Sequence, residues 1–160
     1  MGKMKLVMIG NGMAGARTLE ELLKLAPDLY EIEVFGAEPY ANYNRILLSQ
    51  VLSGEQTIGG IMLNDVEWYA GKGITLHLNR RVSEINRARR TVQTSDGTTA
   101  EYDRLIIATG STPIVLPVPG SDLEGVVAFR SIRDVDAMLE ASAKFKSAVV
   151  IGGGLTGMDR

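Results

Sequence analysis

Three glycines near the amino terminus, Gly10, Gly12 and Gly15, have the spacing of a phosphate-binding turn. An apolar run at residues 6–9 leads into them and an amphipathic segment that begins near Met13 follows, so the pattern predicts a buried strand, a turn and a helix. In such a turn the first glycine permits the tight bend, the second lets a diphosphate approach the backbone, and the third lets the helix pack closely on the strand. A diphosphate would then lie at the positive end of the helix dipole.

Two further features favour a bound nucleotide. Glu38 follows a second strand-like run at residues 31–36, where a carboxylate can accept hydrogen bonds from ribose hydroxyls. The apolar run and the glycine spacing also recur at residues 147–157, SAVVIGGGLTG. Arg45 is a candidate for a phosphate or ribose contact, because a guanidinium suits bidentate bonds to oxyanions. The plainer alternatives are a solvated loop carboxylate for Glu38 and an ordinary surface charge for Arg45.

The composition limits the chemistry that side chains can perform. The 160 residues include no cysteine and one histidine. This excludes disulfides, thiolate metal ligands, iron–sulfur ligation and a cysteine redox step within these residues. We expect no metal ligands and no catalytic side chain, so any redox chemistry must be carried by a bound organic cofactor.

The net charge of −2 argues against nucleic acid or an anionic membrane as the main partner. Several arginines cluster between positions 80 and 90, but no aromatic residues alternate with them, and solvated turns explain them better. No apolar run approaches the roughly 18 residues of a membrane span, and the first strand begins too early for a signal peptide. We therefore expect a cytoplasmic protein without a membrane partner.

The elements that would position these residues alternate between helical and strand periodicity. The predicted helices span residues 13–26, 65–71 and 134–144, and the predicted buried strands span 6–9, 31–35, 104–108 and 148–151. A period of two predicts four short strands at 74–78, 82–86, 91–94 and 99–102, with a hairpin turn at 95–98, and hence an antiparallel meander. The expected fold class is α/β, a dinucleotide-binding fold with a central parallel sheet, helices and this meander.

Four further side chains receive structural predictions. Asn64 is the expected N-cap of the helix at 65–71, whose first turn contains acidic residues. Trp68 and Tyr69 in that helix are expected to pack in the core. His77 alternates with leucines and is expected to face solvent or a polar seam, without a catalytic role.

Several segments together resemble the pyridine nucleotide–disulfide reductase class of two-dinucleotide-binding flavoproteins. They cover nearly the whole chain: VMIGNGMAG, VFGAEP, NYNRILLS, YDRLIIATGSTP, FRSI and VVIGGGLTG. ATGSTP between two glycine-rich turns is a specific combination. Within the class, IGNGMAG with FGAEPYANYNRILLS is most similar to the N-terminal flavin module of assimilatory NAD(P)H-dependent nitrite reductase large subunits, and rubredoxin and ferredoxin reductases share the layout.

The resemblance implies a Rossmann-like FAD/NAD(P)-binding fold and roles for individual residues. Glu38 would bind the adenosine ribose, Arg45 would reach the ADP half of FAD, and Val82 would meet the adenine through its backbone. The turn for the FAD diphosphate would comprise Gly10, Gly12, Met13, Ala14 and Gly15.

The resemblance also assigns residues in later segments. Arg130 matches an arginine that often contacts FAD in ferredoxin reductases. Gln50 stands where those reductases have a lysine near the flavin, which would leave hydride handling to the backbone and this amide. Asp159 stands where the family usually has glutamate. Ala108, Thr109 and Gly110 would close over the cofactor, and Gly152, Gly154 and Gly157 would begin the NAD(P)H-binding fold.

The implied function is the FAD-binding module of an NAD(P)H-dependent oxidoreductase of the nitrite reductase type. Electrons would pass from NAD(P)H through FAD to a metal centre, by resemblance a sirohaem with an iron–sulfur cluster that lies outside this chain. Residues 1–112 would form the FAD-binding domain, 113–146 a connector with a short helix, and 147–160 the start of an NAD(P)H-binding domain.

The resemblance further implies a truncated chain that is inactive by itself and whose partner is the remainder of the reductase. Two alternatives stay open. One is an electron-transfer reductase that serves a separate small carrier, a rubredoxin or a ferredoxin. The other is a fragment that binds nucleotide without turnover.

Overall fold

The computed structural model describes residues 2–152 and divides the chain into two compact units, each of which is considered by itself. The first unit takes in the residues up to Tyr43 together with Met62–Gly110, and the second takes in Asn44–Ile61 and the described residues from Ser111 onward. The strands are β1 (Met4–Ile9), β2 (Tyr30–Phe35), β3 (Asn42–Tyr43), β4 (Met62–Asn64), β5 (Ile74–His77), β6 (Val82–Asn86), β7 (Thr91–Thr94), β8 (Thr99–Glu101) and β9 (Arg104–Ile107). The helices are α1 (Met13–Leu25), α2 (Leu48–Leu52), α3 (Val66–Gly71) and α4 (Ile132–Lys144).

The first unit is organised around a four-stranded parallel sheet with the order β5-β2-β1-β9. Because β1 lies between two strands and is covered on both faces, residues 6–9 are at most 6% exposed. On one face Leu19 of α1 and Tyr69 of α3 pack against the sheet, and on the other face Val92 and Ala100 do so. The predicted α/β fold with a central parallel sheet and an antiparallel meander is therefore confirmed.

The meander has three strands, β6-β7-β8, rather than the four that the sequence predicts. The assignment of residues 74–78 to it is wrong, because β5 pairs in parallel with β2 and places His77 opposite Phe35. β5 is an edge strand in which apolar and polar residues alternate from Ile74 to His77, and this alternation is also typical of antiparallel strands. His77 lies in a polar seam, stacked on Phe35 at 4.4 Å between ring centroids and with its Nε2 2.8 Å from the Glu33 carboxylate.

The predicted N-cap of α3 is also wrong by one residue. Asp65 caps the helix, since its Oδ1 accepts a hydrogen bond of 2.8 Å from the Trp68 amide. Asn64 instead ends β4, where it is 6% exposed and its Nδ2 donates to Glu20 Oε1 at 3.2 Å. The expectation that Tyr69 packs in the core is confirmed, as its side chain is fully buried.

In the second unit, α4 begins at Ile132, two residues before the predicted start, because Ser131 and Asp134 form a capping box. Residues 147–152 have no regular secondary structure, so the predicted strand at 148–151 is absent from the described part of the chain. A strand needs hydrogen-bonded neighbours, and none of the described strands pairs with this segment. Gly154, Gly157 and Asp159 lie outside the described residues.

Candidate nucleotide-binding site

The candidate site lies at the carboxyl edge of the parallel sheet in the first unit. Three adjacent strands end level with one another, since Ile9 is in register with both Phe35 and Ile107. The segments that leave these strands are the glycine-rich turn, the stretch that leads to Glu38, and residues 108–110. Ligands of open parallel sheets bind at this edge, so the fold brings three groups of predicted residues to the position that such a ligand occupies.

Two glycines of the turn are required by the packing of the protein itself. Gly10 has φ +105°, and a Cβ added to it would lie 2.2 Å from the Ala108 carbonyl oxygen. A Cβ on Gly15 would lie 2.9 Å from the Gly10 carbonyl oxygen and 3.0 Å from Met8 Sδ. All three distances are shorter than van der Waals contact, so these glycines allow β1, the end of β9 and α1 to approach one another.

Gly12 differs, because nothing in the described residues explains why it is glycine. Its φ of −84° and ψ of 178° are available to any residue, and a Cβ added there would meet no atom of the described chain within 4 Å. Gly12 is also the N-cap of α1, and among the described residues no side chain caps this helix. The first helical hydrogen bond runs from Ala16 N to Gly12 O at 3.0 Å, so the preceding amides point out of the helix end. An anionic group with its own bulk fits this position.

The other residues of the turn are accessible to different degrees. Met13 is half-buried and Ala14 is exposed. Ala108 is held beside the turn by a hydrogen bond of 2.7 Å from its amide to the Ile9 carbonyl. Thr109 and Gly110 follow it as exposed residues, with Gly110 at φ +72°.

Glu38 is half-buried three residues beyond the end of β2, and its position is fixed by neighbouring groups. The Tyr43 hydroxyl, on a side chain only 4% exposed, donates a hydrogen bond of 2.7 Å to Glu38 Oε2. The Glu38 carbonyl accepts from the Asn79 amide at 2.9 Å.

Val82 begins β6, an edge strand of the meander, and packs against the core beneath it. One edge of its backbone therefore faces no strand among the described residues.

The second unit brings together two more predicted residues. Arg45 Nη1 donates a hydrogen bond of 2.9 Å to the Arg130 carbonyl oxygen, and the Arg130 amide donates to Asp134 Oδ2 at 2.9 Å at the start of α4. Gln50 lies half-buried in α2, where its carbonyl accepts from Gln56 N at 3.0 Å. Gly152 is exposed, with φ +143° and no atom of residues 2–152 within 4 Å of an added Cβ.

A polar network behind the glycine-rich turn escaped the sequence analysis. Asn11 Oδ1 accepts a hydrogen bond of 2.6 Å from the Tyr69 hydroxyl, and the Asn11 carbonyl accepts one of 3.2 Å from Asn42 Nδ2. Burial raises the pKa of Tyr69 to about 12, although the bond to Asn11 opposes this. In the described part of the chain, Asn11 Nδ2 and Asn42 Oδ1 are buried without a hydrogen-bond partner. The signal for the network was a polar residue between two glycines.

Two properties of the described residues bear on other classes of function. Residues 2–152 contain no group of three or more acidic, histidine or cysteine side chains that could hold a metal ion. Within the same residues, no helix has the length and apolar character needed to cross a membrane.

Comparison with known proteins identifies the class. The model of the pyridine nucleotide-disulphide oxidoreductase family matches residues 4–160, so the chain belongs to this family of oxidoreductases. It is 52% identical to the nitrite reductase [NAD(P)H] of Bacillus subtilis and 48% identical to that organism's assimilatory nitrate reductase electron transfer subunit, with 99% of the chain covered in each case. Among solved structures, the NADH:rubredoxin oxidoreductase of Clostridium acetobutylicum matches with a TM-score of 0.86 and 25% identity, over 98% of this chain and 40% of that one.

The chain spans 20% of the length of the first of these relatives and 21% of the second. The resemblance inferred from the sequence, to this family and within it to NAD(P)H nitrite reductase, is thus confirmed.

Proposed function

We propose that this chain is the FAD-binding module of an NAD(P)H-dependent oxidoreductase of the nitrite reductase type. The observation that carries the proposal is Gly12, which is open and uncapped at the end of a 13-residue helix. A glycine with ordinary dihedral angles and no neighbouring atoms is explained when a ligand takes the space that a side chain would fill. The diphosphate of FAD has the charge and the bulk for that position.

The surrounding residues then have separate binding roles. The Gly12 amide and the first amides of α1, those of Met13, Ala14 and Gly15, donate to the diphosphate. Glu38, oriented by Tyr43, accepts hydrogen bonds from the ribose hydroxyls. The Val82 backbone meets the adenine.

The remaining assignments concern the second unit and the strand end at 108–110. Arg45 and Arg130 bind cofactor oxygens through their guanidinium groups, and Gln50 lies near the flavin. Ala108, Thr109 and Gly110 cover the cofactor.

When bound, the flavin accepts a hydride from the nicotinamide and delivers electrons onward. The chain's own contribution is to bind the cofactor, orient it and exclude water around it. We propose residues 1–112 as the FAD-binding domain, 113–146 as a connector and 147–160 as the start of an NAD(P)H-binding domain. Since the chain spans about a fifth of the nitrite reductase relative, electron transfer to a metal centre belongs to the whole reductase, and the 160 residues alone are expected to be inactive.

A second candidate is an electron-transfer flavoprotein with a separate acceptor protein. It is favoured by the 48% identity to a nitrate reductase electron transfer subunit and by the structural match to an NADH:rubredoxin oxidoreductase. Both candidates require FAD at the same turn. They differ in whether the acceptor is a metal centre of the same polypeptide or a small carrier.

The direct test is FAD binding by the purified chain and its Gly12→Val variant. Wild-type protein is expected to bind FAD with a visible spectrum shifted from that of the free cofactor and to retain it through desalting. Since the Gly12 backbone suits any residue, Gly12→Val should keep the free energy of unfolding within about 1 kcal/mol of wild type. Its FAD affinity should fall by at least about tenfold, because the side chain takes the ligand's space.

The matched control is Gly71→Val at the exposed end of α3. An added Cβ there also meets no atom within 4 Å among the residues that the structure describes, but Gly71 precedes β5 and so lies toward the amino edge of the sheet. Gly71→Val should bind FAD as wild type does. Equal FAD affinity in Gly12→Val and wild type would contradict the proposed site.

A further inference from the structure

We infer that Asn42 and Tyr69 are positioning residues for the diphosphate turn, holding the Asn11–Gly12 peptide so that the Gly12 N–H donates to the ligand. The inference rests on the proposed function and names the groups that set its geometry. Neither residue belongs to the glycine pattern, and neither is proposed to touch FAD.

The peptide plane between Asn11 and Gly12 is held by a side chain of β3. The Asn42 amide donates to the Asn11 carbonyl oxygen at 3.2 Å. Because a trans peptide is planar, its N–H points opposite to its C=O. Fixing the Asn11 carbonyl toward Asn42 therefore fixes the Gly12 N–H away from Asn42. A glycine is free to rotate about both backbone dihedrals, so Gly12 itself supplies little of this restraint.

The Asn11 side chain is held separately, by a residue of α3. The Tyr69 hydroxyl donates to Asn11 Oδ1 at 2.6 Å, and the tyrosine ring is fully buried between α3 and the sheet. Asn11 is therefore held through its backbone by β3 and through its side chain by α3. Two separate elements thus fix one residue of the turn.

The stability of the fold does not explain why position 42 carries an amide side chain. Asn42 is 1% exposed, and its Oδ1 is buried without a partner among the described residues. An unpaired buried acceptor is destabilising, and an apolar residue of similar size would avoid that cost. The one hydrogen bond that the Asn42 side chain makes in the described part of the chain goes to the Asn11 carbonyl, which indicates that its role is to orient the turn.

The test compares Asn42→Leu with Asn64→Leu. Asn64 is the cross-strand partner of Asn42 in the β3–β4 pair and is also buried, but its amide donates to Glu20 on α1 instead of to the turn. Both variants remove one buried amide, and a thermal melt of each checks that the fold is retained. Asn42→Leu should weaken FAD binding about tenfold, the loss expected for a misaligned hydrogen bond to a charged group. Asn64→Leu should bind FAD nearly as wild type does.

A spectroscopic measurement separates orientation from stability. The two ³¹P resonances of bound FAD should shift in Asn42→Leu and stay in place in Asn64→Leu. Tyr69→Phe, which keeps the ring and removes only the hydroxyl, should weaken FAD binding about threefold and shift the same resonances. If Asn42→Leu does not fold, Tyr69→Phe carries the test.

The outcomes distinguish this inference from the proposed function. A wild-type chain that binds no FAD would contradict the proposed function. A wild-type chain that binds FAD, with Asn42→Leu and Tyr69→Phe matching it in affinity and in ³¹P resonances, would overturn the positioning role alone. The positioning role would also be overturned if Asn64→Leu weakened FAD binding as much as Asn42→Leu does.

Discussion

Two segments of the chain have nearly the same pattern, VMIGNGMAG at residues 7–15 and VVIGGGLTG at residues 149–157. In the first segment, residues 7–9 lie in β1, pair with strands on both sides and are at most 6% exposed. In the second, residues 149–151 form no strand in the described part of the chain and are at least 71% exposed. An apolar run before glycines therefore gives a buried strand only where neighbouring strands and helices complete its hydrogen bonds and cover its faces.

The first glycines of the two patterns show the same difference. Gly10 is enclosed by the Ala108 backbone at distances that exclude a side chain, whereas an added Cβ on Gly152 meets no atom of the described residues within 4 Å. Both have positive φ, +105° and +143°. Glycine is required at position 10 by tertiary packing. At position 152 the described residues favour glycine only through the positive φ of the local backbone.

The largest expected effect separates these two glycines. Gly10→Ala should destabilise the chain by more than about 4 kcal/mol, because strain at positive φ adds to overlap with the Ala108 carbonyl. Gly152→Ala should cost at most about 1 kcal/mol, since the exposed backbone around it can relax. Chemical denaturation of both variants, followed by circular dichroism, measures the difference. Similar losses of stability in the two variants would contradict the inferred difference between the two glycine segments.

The parts of the fold that the sequence predicted correctly are those whose signals are local. The β1–turn–α1 unit and β9 each have an apolar run bounded by glycine or by polar residues, and β2 has alternating apolar residues that end at Gly36. The partner of β5 was assigned wrongly because alternation along one strand does not reveal its neighbour. Likewise, Asn64 and Asp65 are both good capping residues, and only the burial of Asn64 in β4 decides between them.

The residues of the candidate site were likewise predictable only where their signals are local in the sequence. Gly10, Gly12 and Gly15 follow from spacing, but only the three-dimensional structure shows that Gly10 and Gly15 serve packing while Gly12 is open. The bonds from Tyr69 and Asn42 to Asn11 join residues 58 and 31 positions apart. No periodicity in the sequence encodes such pairs, since they depend on how α3 and β3 pack.

A second pair of variants tests burial at equivalent positions of the two patterns. Ile9→Ala removes a side chain that is 6% exposed and Ile151→Ala one that is 74% exposed. Ile9→Ala should destabilise by about 2–5 kcal/mol through lost transfer free energy and cavity formation. Ile151→Ala should stay within about 0.5 kcal/mol of wild type. The free energies of unfolding from urea titrations measure both, and a loss at Ile151 as large as at Ile9 would show that this segment is also buried in solution.

The smallest effect at neutral pH concerns the polar support of the first turn. Tyr69→Phe should cost about 1 kcal/mol at pH 7, because it removes one buried hydrogen bond to Asn11. Burial raises the pKa of Tyr69 to about 12 in the folded chain, against about 10 in the unfolded chain. Between these values the folded chain binds more protons, so this contribution is present below about pH 10 and is lost as the pH rises through 12.

Wild-type stability should therefore fall between pH 10 and 12 by on the order of 2 to 3 kcal/mol more than that of Tyr69→Phe. Urea titrations of both proteins across this range measure the effect, and the tyrosines common to both cancel in the difference. Parallel pH profiles would show that the Tyr69 hydroxyl titrates normally. A normal titration would contradict the burial of this hydroxyl behind the turn at Gly10–Gly15, since burial is the main cause of the raised pKa.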